Sequence, residues 1–414
     1  MSQFKLDNGL TVNLIDKPGF LSQFAVVMVD FGGLDRNLPT KSGSLVLPAG
    51  TAHFLEHQLF NKADGDISQQ FAEQQAQTNA FTTASKTAYY FSGSEHLLTN
   101  LDLLARLVGE PYFQLTSVQN ERQIISQEIK MYQDQPDWQL DMQLLGKLYP
   151  DQPIAEDIAG DLPSLQVITP AVLFAAHQYF YQPQRMQLTI VADLKQTAVK
   201  SYLQASALWQ QLGRTDQVAP TDWPLTTTKQ IIPAIPALPT ANTKTGLGLR
   251  GQNEPDLNAA ICLQLDLELA LTTLFGEMSL PVRQWRDAGL IDDNFQFNTT
   301  VERQYNYVLF TANSPRPQEL LANLQQILQA DVVLDQTLFE RVKREMVGNI
   351  LFSDDALGGL GLESAELGFY GWQTAEIKQY LTTRQVADVQ QRFRKFLQNS
   401  SLATVQLVGG DLEK

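Results

Sequence analysis

Two of the four histidines in this 414-residue chain fall within six letters, AHFLEH at 52–57. His53 and His57 are four residues apart, so on a helix both imidazoles lie on one face and reach a single point. Neutral imidazoles at that spacing suit a tetrahedral Zn²⁺. Glu56 is placed to meet a water on the metal rather than to ligate it. The order H-x-x-E-H is the inverted form of the H-E-x-x-H zinc helix. Such a string arises by chance in a chain of this composition about a few times in a thousand, so the assignment needs a third ligand from another helix.

Glu128 is the candidate. The pattern predicts a helix over 120–131, with Glu121 two turns before Glu128 on the same face. Ile124, Ile125 and Ile129 are expected to bury that helix. Carboxylates facing inward from an apolar stripe need a partner, because a buried unpaired charge is costly. A metal answers for both, with Glu128 as ligand and Glu121 hydrogen-bonded to a ligating imidazole. The competing reading for Glu121 is an ordinary ion pair with a surface Arg or Lys.

These helices need a frame. Residues 4–16 alternate around Asp7-Asn8-Gly9, which predicts a strand entered through a tight turn. FAVVMVDFG (24–32) reads as a more buried strand. Gly50-Thr51 opens the motif helix, Asp66 is suited to cap a helix over 67–75, and NAFTTASKTAYYFSG predicts a hairpin. The pattern is helical from about 96 to 148. Thr169-Pro170 starts another helix, and RMQLTIVADL (185–194) closes this half with a strand.

Pro220, Pro224, Pro233, Pro236 and Pro239 mark a linker. Beyond it the order of elements recurs. QTLFERVKREMVGNI (336–350) echoes SVQNERQIISQEIKM (117–131) around a shared Glu-Arg, and TRQVADVQQRFRKFLQNSSLATVQLVGGDL echoes TPAVLFAAHQYFYQPQRMQLTIVADL. The expected fold is α+β: two duplicated domains, each a mixed, mainly antiparallel sheet with helices on one face. The expected boundaries are 1–215 for a metal-bearing domain, 216–240 for the linker and 241–414 for a copy without ligands. That copy has no histidine, and aligning the Glu-Arg pairs sets Val347 against Glu128.

An apolar share of 43% and a charged share of 18% are those of a globular chain, which excludes wholesale disorder. A net charge of −15 argues against nucleic acid or an anionic membrane as partner. Cys262 is alone, the N-terminus lacks the apolar run of a signal peptide, and no stretch is expected to reach the roughly 18 apolar residues of a span. A cytoplasmic, soluble protein is the expectation.

AGTAHFLEHQLF, NAFTTASKTAYYF and the later ER-x-x-x-x-x-E-I together resemble the pitrilysin/insulinase family of inverted-motif zinc peptidases. The resemblance is strong over 1–200 and thinner after. It implies His53, His57 and Glu128 as ligands of Zn²⁺, Glu56 as general base, and a peptide substrate. It also implies that Asn79, Ala80, Phe81 and Thr82 form an edge strand to which an extended peptide adds. In active members a helical Arg and a Tyr after a Gly-Leu pair assist the reaction from the second half. In PVRQWRDAGLIDDNF here, Arg286 (or Arg283) and Gly289-Leu290 match, but Asp292 stands near the place of the Tyr. Arg303, Tyr305 and Tyr307, at period two on a predicted strand, could substitute, but a plain sheet face is the preferred reading for them. Two-chain members divide these roles, so the resemblance implies a homodimer or a heterodimer with a related subunit. The leading expectation is a zinc endopeptidase of short or unfolded peptides. The alternative is a non-catalytic scaffold subunit with a residual structural metal site.

Other features carry less. His96 and His177 read as ordinary helix residues, and QDQPDW (133–138) as a turn. GGLGLESAELG (358–368) reads as a mobile loop or helix break, and Asp292-Asp293 and Asp354-Asp355 as turn or cap carboxylates.

Overall fold

The computed structural model describes all residues except 41–42, 214–242, 255, 304, 354–355 and 408–414. The proline-rich linker and the Asp354-Asp355 pair therefore lie outside the described residues. The chain divides into two compact units, and the division is not the contiguous one expected. One unit gathers the described residues of Met1–Ile129, Asp157–Thr226 and Leu351–Thr374; the other gathers those of Lys130–Glu156, Thr227–Ile350 and Ala375–Lys414. Each sheet is thus packed partly by a helix from the other half of the sequence.

The first unit is built on a six-stranded sheet: β1 (Ser2–Lys5), β2 (Thr11–Asp16), β3 (Gln23–Val29), β4 (Ala76–Thr82), β5 (Thr87–Gly93) and β6 (Met186–Ala192), in the order β1-β2-β6-β3-β5-β4. Only β2 and β6 run parallel; the other pairs are antiparallel. One face carries the main core, in which Ala25, Val27, Val29, Leu188 and Ile190 meet helices α1 (Thr51–Leu59), α2 (Leu97–Gly109), α3 (Leu115–Gln133) and α5 (Pro170–Phe180).

The opposite face is also covered. There Phe24, Val26, Met28 and Val191 pack against α8 (Leu357–Tyr370), so helices occupy both faces of this sheet. The continuous apolar run of β3 explains this, because alternate residues of VVMV face opposite sides and all need burial. The glycine-rich segment expected as a loop is this helix. Its glycines cost helix propensity of about 1 kcal/mol each, but they admit close approach. A Cβ on Gly361 would lie 2.5 Å from the Phe24 ring, and one on Gly368 would lie 2.1 Å from Gln187 Oε1.

The second unit holds a four-stranded sheet of β7 (Lys244–Arg250), β8 (Gln296–Glu302), β9 (Tyr305–Asn313) and β10 (Ser401–Leu407), in the order β8-β9-β7-β10. All its pairs are antiparallel. Helix α4 (Pro136–Leu148) packs on β7 and β10. Helix α6 (Leu257–Phe275) is 19 residues long and apolar enough to cross a membrane by length and composition, which corrects the expectation that no stretch reached that size. It packs against β8 and α9 (Val386–Gln398) and buries Asp266, which Arg384 grips through two hydrogen bonds of 2.9 and 2.8 Å. A buried, ion-paired carboxylate of that kind belongs to a core helix.

Candidate metal centre

Helix α1 begins where the chain turns at Gly50, whose φ of 81° lies in the left-handed region. A Cβ there would also stand 2.3 Å from Ala159 O. Glycine is therefore required twice over, once by the backbone and once by the 157–160 turn pressed against it. From this start the helix sends Phe54, Leu55 and Leu59 into the core. His53 and His57 emerge one turn apart, with ring centroids separated by 4.5 Å.

Helix α3 brings the third group. Ile125 and Ile129 are fully buried, whereas Ile124 is 57 % exposed, so the expected burial of all three isoleucines is corrected. The apolar stripe is narrower because Ile124 lies on the outer side of the helix, away from the two isoleucines that face the core. Arg122 fixes the helix by donating from Nε to Leu165 O at 2.9 Å and from Nη2 to Ile168 O at 2.9 Å.

So placed, Glu128 Oε1 is 3.7 Å from His53 Nε2 and Glu128 Oε2 is 3.8 Å from His57 Nε2. One ligand atom from each of the three residues lies within 4.8 Å of the others. Zinc–ligand bonds of about 2.1 Å set tetrahedral edges of about 3.4 Å. Two imidazoles and a carboxylate this close fit a divalent cation with one position left open.

Glu121 reaches an imidazole of the motif, and among the described residues it pairs with His57 rather than with an Arg or Lys. Its Oε1 is 2.9 Å from His57 Nδ1, which leaves Nε2 of that ring for the metal. The two imidazoles sit in different fields. Burial, with the nearby His57, holds His53 down to about 3, so it is neutral near pH 7. Burial also pulls His57 down, but the hydrogen bond to Glu121 and the charges of Glu56, Glu121 and Glu128 outweigh it and raise His57. Among the described residues, His53 Nδ1 is buried without a hydrogen-bond partner.

Glu56 is only 7 % exposed, and burial raises its carboxyl above the usual range. Thr82 Oγ1 donates to its Oε2 at 2.5 Å. The expected Asn79–Thr82 stretch does lie on β4, at the edge of the six-stranded sheet. Thr82, however, spends its hydroxyl on Glu56 rather than leaving it for a ligand. Asn79 Oδ1 accepts from Ala80 N, and the Phe81 ring lies 6.3 Å from that of Tyr90.

In the second unit Arg286 lies on the helix Leu280–Asp287, with its Nε 3.5 Å from Asp293 Oδ1. Asp292 accepts hydrogen bonds from Asn294 N, Asn294 Nδ2 and Asn313 Nδ2. Burial raises its carboxyl, but those bonds, from Asn313 first, outweigh it, so Asp292 stays ionised as a turn carboxylate. Tyr305 and Tyr307 are buried edge-on to Tyr149, at 5.3 and 6.1 Å, and Arg303 sits in the β8–β9 turn. The two tyrosines are core residues of their own sheet, in line with the plain sheet face expected for them, whereas Arg303 lies in the turn rather than on the strand.

Sequence reasoning missed several groups. Gln58 and Ser117 stand behind Glu121. Asp157 lies near Glu128; burial, with Glu128's charge added, pushes it up to about 6, and its Oδ2 is buried without a partner among the described residues. Nothing in periodicity or spacing marks these positions. His177 does lie on a helix, α5, where it is buried with Nε2 2.7 Å from Val108 O. His96 precedes α2 with a φ of 56°.

Fold and site define an inverted-motif metallopeptidase architecture, and comparison with known proteins agrees. The family model "Insulinase (Peptidase family M16)" matches residues 47–162, and the model "Peptidase M16 inactive domain" matches residues 168–346. The Bacillus subtilis protein described as the uncharacterized zinc protease YmfH is 32% identical over 356 residues, covering 84% of this chain and 82% of that one. The crystal structure of an M16-like peptidase from Alicyclobacillus acidocaldarius superposes with a TM-score of 0.84 at 25% identity, covering 98% and 97% of the two chains. A protease structure from Helicobacter pylori shares the fold with a TM-score of 0.78 at 18% identity, covering 98% and 99%. The chain belongs to the M16 insulinase family of zinc proteases.

Proposed function

We propose that this chain is a zinc-dependent endopeptidase acting on short or unfolded peptides. The observation that carries the reading is the convergence of His53, His57 and Glu128 beside a buried Glu56. Zinc bound there would supply Lewis acidity, lowering the pKa of a bound water and polarising a carbonyl. His53 and His57 present ring nitrogens to the ion, Glu128 a carboxylate oxygen, and Glu121 keeps His57 in the tautomer that leaves Nε2 free. Glu56 accepts the proton of the attacking water and returns it to the leaving amine, a task suited to a carboxyl raised by burial. Thr82 holds that carboxyl in place. The open edge of β4 offers backbone groups to an extended peptide, which selects an extended shape more than a side-chain sequence.

A second reading is favoured by Asp292. An ionised carboxylate whose oxygens already accept from Asn294 and Asn313 cannot donate to an oxyanion. Full activity then needs a donor from a partner, either a second copy or a related subunit. In the limit the chain is a scaffold subunit with a structural metal. A cytoplasmic location is part of the same proposal and rests on composition alone.

The test is metal content with peptide hydrolysis by the chain and by Glu56→Gln. The expected result is stoichiometric zinc in both proteins and a loss of hydrolysis of about 10²–10⁴-fold in the variant. Zinc without hydrolysis in the unsubstituted chain would favour the partner-dependent reading. No zinc uptake would sink both.

A further inference from the structure

Gln58 follows the second histidine of the motif directly, and it is fully buried. A buried amide must satisfy both its ends. Its Nε2 lies 3.3 Å from Ser117 O and 3.4 Å from Glu121 Oε2, two groups that only accept. That pair of acceptors fixes which end of the amide is nitrogen. Its Oε1 then faces the Ser117 hydroxyl at 3.0 Å. The single hydroxyl proton is shared between this oxygen and Gln114 O, at 2.9 Å.

The consequence falls on Glu121. Its Oε1 meets His57 Nδ1 at 2.9 Å, and its Oε2 meets Gln58. A carboxylate held at one oxygen alone can swing about its side-chain torsions. Held at both, it presents one oxygen to the imidazole in a defined direction. Gln58 and His57 are successive residues of α1, while Ser117 and Glu121 are one turn apart on α3. The four side chains therefore form a continuous series of contacts, Ser117–Gln58–Glu121–His57, between α1 and α3.

We infer that Gln58, anchored by Ser117, is a positioning residue that clamps Glu121 and thereby sets the orientation and tautomer of the His57 ring. This rests on the metal assignment above. Groups behind a metal ligand typically change affinity by about 10–100-fold when removed. An effect one contact further out belongs at the lower end of that range.

The experiment is a double-mutant cycle read by zinc affinity, measured by competition with a chromophoric chelator on the metal-free full chain. Gln58→Leu, of similar volume, should weaken zinc by about tenfold in the unsubstituted background. In the Glu121→Gln background the same change should cost less than about twofold, because the clamp has nothing left to orient. Equal losses in both backgrounds, or no loss in the first, would overturn the inference. A packing role alone would give equal losses. Should Gln58→Leu fail to fold, Ser117→Ala carries the test: a loss of about threefold that vanishes with Glu121→Gln supports the clamp, and an unmoved affinity overturns it.

If the unsubstituted chain takes up no zinc, the metal assignment is what fails. The clamp is then judged on the His57 Nδ1–H resonance of the metal-free chain. Gln58→Leu should shift or broaden that signal, and an unchanged signal would overturn the clamp.

Discussion

Helix α3 and helix α7 (Gln336–Ser353) are counterparts in the two halves of the chain, aligned on Glu121-Arg122 and Glu340-Arg341, yet their polar groups do different work. In α3, Glu121 reaches His57 and Gln58 on another helix, and Arg122 reaches two carbonyls in the 162–168 segment. In α7, Glu340 turns back on its own helix to Lys343 at 3.0 Å, and Arg341 is exposed, 4.0 Å from Met278 Sδ. Val347 stands where α3 has Glu128. One scaffold thus supports both a centre that converges on a point and a helix satisfied locally. The difference lies in whether a second helix brings imidazoles to the same place.

The sharpest way to break the contrast is to give the first half the residue of the second. Glu128→Val should weaken zinc by more than about a hundredfold, beyond the upper end seen for groups behind a ligand, while leaving the far-ultraviolet spectrum unchanged. Zinc retained at near-native affinity would remove Glu128 from the ligand set.

Next in size is the helix that covers the second face of the first sheet. Gly361→Val puts side-chain atoms where the Phe24 ring already lies, and should cost about 1–3 kcal/mol, read as a lowered denaturation midpoint. The outer-face change Gly359→Ala, where an added Cβ meets nothing nearer than 3.9 Å, should be neutral or stabilising. Equal effects would show that close approach is not what the glycines serve.

A third comparison uses pH. Burial, opposed by the Val108 carbonyl and helped by nearby Lys62, holds His177 down to about 4, against an ordinary value of 6.5. Between those values the unfolded chain binds a proton that the folded chain refuses, so stability falls as pH drops from about 6.5 towards 4. That depression corresponds to about 3 kcal/mol across the window. The helix at the corresponding place in the second half, α9, carries no histidine. His177→Gln should lower stability near pH 7 and flatten its fall between pH 6.5 and 4, as followed by metal-free thermal melts. An unchanged slope would mean His177 is not what titrates.

The smallest expected effect separates the two arginines. Arg122→Ala strands two carbonyls and should cost about 2 kcal/mol, whereas Arg341→Ala should stay within about 0.5 kcal/mol in urea titrations.

The chemistry of the site was largely legible from residue types and spacing, because helical geometry alone decides that His53 and His57 share a face and that Glu121 and Glu128 share another. The strands of the first half were legible for a similar reason: period two and turn residues are local properties of the chain. The second half was less readable. Its glycine-rich 358–368 segment looks like a broken helix until a sheet face is supplied for it, since glycine is unfavourable locally and useful only through close packing. The same holds for Ile124, whose exposure depends on which neighbour lies against α3.

By itself, then, the sequence determined the candidate ligand types, the helices that carry them and their absence from the second copy, all through residue identity and short-range periodicity. Only the tertiary structure decided the rest. It set Thr82 on Glu56, Gln58 and Ser117 behind Glu121, and Asp157 near Glu128. It also assigned α4 and α8 each to a sheet from the other half of the sequence. Those pairings join residues tens to hundreds of positions apart, and their energies come from desolvation and directional contact. Neither exists until distant segments have packed.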